Sequence, residues 1–219
     1  DNMLSELTNK NLTYLHIWGE YLQNTSDESE IREYIEKAQE DAGFLDFYFL
    51  SADGNYKMVT GETGYLGLQE NIEDEIQKGN DIITNAAVPG KSQMLVFASP
   101  KAHGSYQGFK YDAIAIAYEN ADIVNVLDIS AFNGKAKSYV LHPDGRVVID
   151  HSLESWGNVY NFFGILREHT DISEKEILKI SKKFKEGHTG AMLLNLDEKD
   201  YYLVYEKSGI QDWVFLGLV

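Results

Sequence analysis

Six histidines, 35 carboxylates and no cysteine are the side chains from which this chain would have to build reactive or metal-binding chemistry. The missing cysteines remove disulfides, thiol nucleophiles and cysteine-ligated metals. His16, His103, His142, His151, His169 and His188 include no two at ligand spacing on a common helix, and no HExxH zinc pattern occurs. Neither standard glycine-rich phosphate motif is present. Asp150-His151 would need a nucleophile nearby in space, and no G-x-S-x-G elbow supplies one, so His151 reads as a loop or strand-end residue. The carboxylates are abundant but not visibly paired, and a glycosidase or calcium site needs geometry that spacing alone does not give. Asp197-Glu198-Lys199-Asp200 reads as a solvated turn between two strands. No catalytic residue, metal or cofactor is expected, and the side chains of interest become those that line a space rather than those that react.

The elements that would line such a space come in two copies. Tyr48-Phe49-Leu50-Ser51-Ala52-Asp53-Gly54 returns 91 residues later as Tyr139-Val140-Leu141-His142-Pro143-Asp144-Gly145. Each is a short apolar run ending in Asp-Gly and followed by a second run, Tyr56 to Thr60 or Val147 to Asp150. Asp-Gly supplies the positive φ of a tight hairpin, and the runs read as its strands. Downstream, Gln93 to Phe97 is echoed by Tyr201 to Tyr205, each leading through a polar turn into a further strand, Ala113 to Tyr118 or Trp213 to Val219. Between them, Leu68 to Gln77 and Ser173 to Phe184 read as helices. Duplication predicts two α+β lobes, each an antiparallel sheet with flanking helices.

A hydrophobic share of 43% with 25% charged residues fits a folded chain with room for two small domains. Residues 1–129 carry 8 Lys and Arg against 22 Asp and Glu, and residues 130–219 carry 11 against 13. Nucleic acid is excluded as a partner, because a phosphate backbone needs a basic face. The acidic half repels anionic lipid head groups, whereas the near-neutral half can approach a membrane. No apolar stretch of 18 residues and no signal peptide is present. The chain begins inside a helix and stops on an apolar strand, as an excised segment of a longer protein would.

Residues 3 to 24 hold one glycine and no proline. Leu4, Leu7, Asn11, Tyr14, Trp18 and Tyr21 follow heptad spacing with one polar position, and Leu12, Leu15 and Leu22 widen the stripe. That stripe fits a helix lying along its own domain, with a dimer partner on part of it as the further expectation. Asn24 to Asp27 breaks this helix, and Ser26 or Asp27 can cap the next, Glu28 to Ala42.

A long leading helix followed by two hairpin-rich lobes resembles the double Cache sensor domain, the tandem PAS-like extracytoplasmic part of bacterial transmembrane receptors. The resemblance covers essentially the whole chain. It rests on the two Asp-Gly hairpins, Ala98-Ser99-Pro100 after a strand, and Ile123-Val124-Asn125-Val126-Leu127-Asp128-Ile129-Ser130, which looks like the strand closing the first lobe. Glu186-Gly187-His188-Thr189-Gly190 and the final run from Trp213 to Val219 complete it. It implies a long N-terminal helix over 1–27, a membrane-distal PAS-like lobe over 28–129 and a membrane-proximal one over 130–219. It also implies a small-molecule ligand in the first lobe, flanking membrane helices absent here, and a histidine kinase, diguanylate cyclase or chemotaxis output.

The amino-acid-binding members carry an Arg and an aromatic after the first hairpin to clamp a carboxylate. Leu68-Gln69-Glu70-Asn71-Ile72-Glu73-Asp74-Glu75 has no Arg and four acids. A clamp needs a fixed cationic donor, so a neutral or cationic ligand is favoured here. Asp128 stands where the resemblance places the ammonium-binding Asp. Alternation puts Tyr48 and Leu50 opposite Phe47 and Phe49, sets Phe97 with Ser99, and sets Tyr118 with Ile116 and Ile114. Which face meets the helices is open at this point. Thr60 to Tyr65 is a glycine-punctuated loop placed to cover a site. The candidate ligand-binding residues are therefore Tyr48, Tyr65, Phe97, Ser99, Tyr118 and Asp128. A non-catalytic sensor is the expectation. An enzyme with a site between two α+β lobes and a ligand-free structural or dimerisation module are the alternatives.

Overall fold

The computed structural model describes residues 2–68, 71–87, 93–127, 137–151 and 161–219. They form two compact units, residues 6–122 and residues 1–5 with 123–219.

The chain opens with α1 (Asn2–Asn24), of which residues 6–24 belong to the first unit, and α2 (Glu28–Ala42) follows. The Asp27 carboxylate caps α2, accepting the Ser29 and Glu30 N–H groups at 2.9 and 3.1 Å, and Gly43 closes it in the left-handed conformation. The sheet strands are β1 (Asp46–Leu50), β2 (Asn55–Lys57), β3 (Thr63–Tyr65), β4 (Gly67–Leu68), β5 (Ile82–Ala87), β6 (Met94–Ser99) and, after a small hairpin of β7 (Gly104–Tyr106) and β8 (Phe109–Tyr111), β9 (Ala113–Glu119). Their order is β3-β2-β1-β9-β6-β5-β4, with every neighbouring pair antiparallel. Gly54 turns the first hairpin at φ 85°.

Strand alternation divides this sheet into two buried faces. Phe47 faces α1, with its ring 6.3 Å from Trp18, and it pairs across to Ile116 and through it to Phe97. The opposite, inner face gathers Tyr48, Leu50, Met94, Val96, Ala98, Ala115 and Ala117 under Leu66 and Ile72. The heptad stripe of α1 is turned into its own lobe: Asn11, Leu15, Trp18 and Leu22 are buried, and Asn11 accepts the Tyr118 hydroxyl at 2.9 Å. The outward side retains Ile17 at 51% exposure.

The second unit contains β10 (Lys137–Leu141), β11 (Val147–His151), α5 (Phe162–His169), α6 (Glu174–Lys185), β12 (Gly190–Leu196), β13 (Lys199–Lys207) and β14 (Val214–Leu218). The order is β11-β10-β14-β13-β12. Ser173 and Glu176 form a reciprocal capping box at the start of α6. At Gly145, φ is 87°, and a Cβ there would lie 2.5 Å from the Phe163 ring, so conformation and space both demand glycine.

The structure departs from the sequence expectations in four places. The stretch 68–77 is not one helix: Leu68 ends β4, and α3 spans only Glu73–Lys78. Ile123 to Leu127 belongs to a helix, α4 (Asn120–Leu127), rather than a strand. A short β-branched run carries no periodicity that separates the two. The turn after β6 holds the β7–β8 hairpin. The first sheet also has an additional strand, β5, pairing with β6.

Candidate functional site

The inner face of the first lobe is built from strand positions two apart. Register sets Tyr48 opposite Ala115, and Ala98 opposite Ala115 on the other side, with Ala117 between Asp46 and Val96. Three alanines therefore form the centre of this floor. The Tyr48 hydroxyl donates to Asp46 Oδ2 at 2.7 Å, and its ring meets Tyr56 edge-on at 4.7 Å. Burial first, and then the adjacent carboxylate, raise the Tyr48 phenol well above its ordinary range, so it remains a donor at any physiological pH. Thr84, opposite Val96, adds a buried hydroxyl on this face. Mostly apolar walls with a few placed polar groups suit a small-molecule site.

The corresponding face of the second lobe can be matched by register. Tyr139 pairs with Leu216 as Tyr48 pairs with Ala115, and Lys137 pairs with Leu218 as Asp46 pairs with Ala117. On the neighbouring strand, Tyr205 pairs with Leu216 where Ala98 pairs with Ala115. The three central alanines are thus replaced by Tyr205, Leu216 and Leu218. Phe162, Phe163 and Phe184 complete a filled core there.

Above the inner face of the first lobe is a recess of about 280 Å³, lined by Asp53, Tyr65, Asn71 and Glu73 over Leu66 and Ile72. Leu66 and Ile72 also belong to the inner-face cluster, so the recess stands directly on it. It shares Asp53, Tyr65 and Glu73 with a wider open groove of about 970 Å³ that includes Lys110 and Asp112. Asp53 accepts from the Ser51 hydroxyl and from the Asn55 amide, the latter at 2.7 Å. The Ser51 hydrogen bond, with the Asn55 backbone, holds its carboxyl below the usual range. Asp112 accepts the Ala52 N–H at 2.8 Å. Among the described residues of this rim, Asp53, Glu73 and Asp112 outnumber Lys110, which favours a cation over an anion.

The six sequence-derived candidates do not form one cluster. Tyr48 lies on the inner face, and Tyr65, 60% exposed, stands at the rim. Phe97, Ser99 and Tyr118 lie on the opposite face, toward the helices. Phe97 meets Tyr118 edge-on at 6.1 Å. Ser99 Oγ donates to Asp81 Oδ1 at 2.7 Å, and Asp81 also binds His16 Nε2 at 2.8 Å. Asp128 lies outside the described residues. Alternation paired these side chains correctly within each strand but did not say which face met α1. Asp46, Tyr56 and Thr84 escaped the sequence reading, although Asp46 stands two residues before Tyr48 on one strand, which was a usable signal. Among the described residues, no group of three or more His, Asp or Glu could hold a metal, and no helix is long and apolar enough to cross a membrane.

No protein-family model matches the sequence, and no curated protein sequence matches it. Solved structures do. The ligand-binding domain of the Pseudomonas aeruginosa PAO1 amino-acid chemoreceptor PctB, in complex with L-Arg, superposes with a TM-score of 0.67 at 14% identity, covering 100% of this chain and 89% of that one. The extracellular domain of mmHK1S-Z3, assigned as a histidine kinase, gives 0.63 at 14% identity, over 96% of this chain and 86% of that one. The ligand-binding domain of the Campylobacter jejuni chemoreceptor Tlp3, with 4-methylisoleucine, gives 0.57 at 9% identity, over 100% and 85%. Two α+β lobes in tandem, each an antiparallel sheet flanked by helices, are the fold that this chain shares with extracellular sensor domains of histidine kinases and chemoreceptors.

Proposed function

We propose that this chain is the extracytoplasmic, small-molecule-sensing and non-catalytic part of a bacterial membrane receptor with a histidine kinase or diguanylate cyclase output. In this reading residues 28–129 are the membrane-distal lobe and 130–219 the membrane-proximal lobe, tethered by flanking helices. The ligand occupies the inner face of the first lobe, beneath the rim of Tyr65 and Asn71. The observation that carries the reading is the set of Ala98, Ala115 and Ala117 at the register positions that Tyr205, Leu216 and Leu218 fill in the second lobe.

Tyr48 and Asp46 supply the orienting polar groups, and Asp53 and Glu73 make the entrance favour a neutral or cationic ligand. The fold neighbours PctB and Tlp3 hold amino acids, which carry an ammonium group that this rim suits. Their carboxylate has no matching arginine in the segment after the first hairpin here. The ligand signals by binding one arrangement of the lobe and α1 better than another. Self-association through α1 belongs to the same proposal, and its contact would be the outward stripe around Ile17.

A thermal-shift screen against amines, amino acids, sugars, carboxylates and nucleobases tests the proposal. A ligand at 100 times its Kd stabilises the folded state by about 2.7 kcal/mol, which a melt resolves. A hit among amines or neutral metabolites that Tyr48→Phe weakens is the expected result. A flat screen at millimolar concentrations would move the weight to a structural module.

A further inference from the structure

The helix side of the first lobe contains a second recess, about 340 Å³, in the wedge between α1 and α2. One wall is Tyr14 and Trp18, a helical turn apart on α1 and stacked at 5.4 Å with 20° between their planes. Trp18 is held from behind by Phe44 and Phe47 at 5.4 and 6.3 Å. The other wall is Tyr34 of α2, stacked on Tyr21 at 3.9 Å, and the Tyr21 hydroxyl donates to Glu30 at 2.9 Å. Both walls are thus fixed by a second layer. Ala38 and Ala42, a turn apart on α2, leave the floor open between them. A pre-formed space of this size is on the scale of a small-molecule pocket.

The rim carries Lys37 and Asp41. They lie on successive turns of α2 but form no ion pair, and among the described residues neither meets an opposite charge within salt-bridge distance. Aromatic faces beside an unpaired carboxylate are how proteins hold organic cations. The surrounding lobe, with 8 basic residues against 22 acidic over residues 1–129, raises the local cation concentration.

We infer that the α1–α2 wedge is a second binding site, for a small organic ammonium with an aromatic or branched apolar body. The body lies between Tyr14–Trp18 and Tyr34, and the ammonium lies against Asp41. Lys37, and Lys10, whose ammonium lies 5.6 Å from the centre of the Tyr14 ring, oppose the cation and tune its affinity downward. The site is separate from the inner face, since Trp18 reaches the sheet through Phe47, on the other side from Tyr48. An occupant bridges the two leading helices.

Calorimetric titration with 2-phenylethylammonium, and with 3-phenylpropionate as the anionic match, tests the assignment on the wild type, Asp41→Asn, Lys37→Gln, Ala38→Leu and Tyr48→Phe. The amine should bind saturably and the acid should not. Asp41→Asn should weaken the amine about fivefold and Lys37→Gln should tighten it about threefold, as expected for single charge contacts at exposed positions. Ala38→Leu should abolish the Asp41-dependent binding, and Tyr48→Phe, which disables only the inner-face site, should remove any inner-face phase while the Asp41-dependent phase persists. Asp41 is exposed, so its variant remains informative if Ala38→Leu melts early. No saturable binding, equal affinity for the wild type and Asp41→Asn, or loss in Tyr48→Phe with retention in Asp41→Asn would each overturn the assignment. The last result would place the amine on the inner face instead.

Discussion

The two lobes share a hairpin, a helix-bearing connection and an antiparallel sheet, yet they build their inner faces from side chains of different size. In the second lobe, Tyr205, Leu216 and Leu218 project from the sheet into one buried cluster with Phe162, Phe163 and Phe184. In the first, alanines stand at those same register positions, in a buried cluster with Tyr48, Tyr56, Leu66 and Ile72. Even the strand-start residues differ in sign, Asp46 against Lys137. The scaffold tolerates both solutions because sheet register is set by the backbone and the hairpin, not by side-chain volume. One lobe can therefore be solid while its twin keeps a floor of small residues.

The largest expected effect is in the solid lobe. Phe184 stacks on Phe163 at 5.7 Å and meets Tyr205 at 5.0 Å. Phe184→Ala should cost about 3–5 kcal/mol, read as a lower denaturant midpoint. Ala98→Gly in the first lobe, at a position that already lacks bulk, should cost only about 1 kcal/mol, chiefly through strand entropy. Equal costs would break the contrast.

Tyr48→Phe should destabilise by about 1–2 kcal/mol, by removing the donor to a buried carboxylate. Ser173→Ala should cost about 1 kcal/mol, by opening the capping box of α6. Chemical denaturation checks both.

A smaller effect sharpens the likeness rather than the contrast. The Asp-Gly hairpins carry Asp53 and Asp144, and both carboxyls lie below their ordinary range. At Asp53 the Ser51 hydroxyl is the main cause. At Asp144 burial opposes ionisation, but the hydrogen bonds from Arg146 outweigh it. A depressed folded pKa contributes stability above the unfolded carboxylate value that is lost as pH falls through the folded value. Melting temperature should therefore fall below about pH 4. Ser51→Ala and Arg146→Ala should each flatten that fall.

Smallest is the effect of Ile17→Glu on the outward side of α1. It should leave the melt unchanged and abolish any weak dimer in analytical ultracentrifugation. Trp18→Glu, the substitution that heptad spacing suggests, would instead damage the core, because Trp18 packs on Phe44 and Phe47.

The duplicated architecture was legible in the sequence because Asp-Gly and strand alternation are local signals. The bounds of α2 were legible because Asp27 caps it in a standard way. The strand β5 and the helix α4 were not, since short β-branched runs suit either state and tertiary context decides. The site was only half legible. Alternation grouped Phe97 with Ser99 and separated Tyr48 from Phe49, but the choice of inner face depends on where α1 docks. That is why Phe97, Ser99 and Tyr118 prove to be helix-side residues, while Asp46 and Thr84 line the other side.

The most direct test of a ligand on the inner face is to place the second lobe's residue there. Calorimetry of the best screening ligand on wild type and Ala115→Leu, with a melt to confirm that both fold, isolates that one volume change. The expected result is loss of binding with the fold retained. Unchanged affinity in a folded Ala115→Leu variant would contradict a ligand on this face.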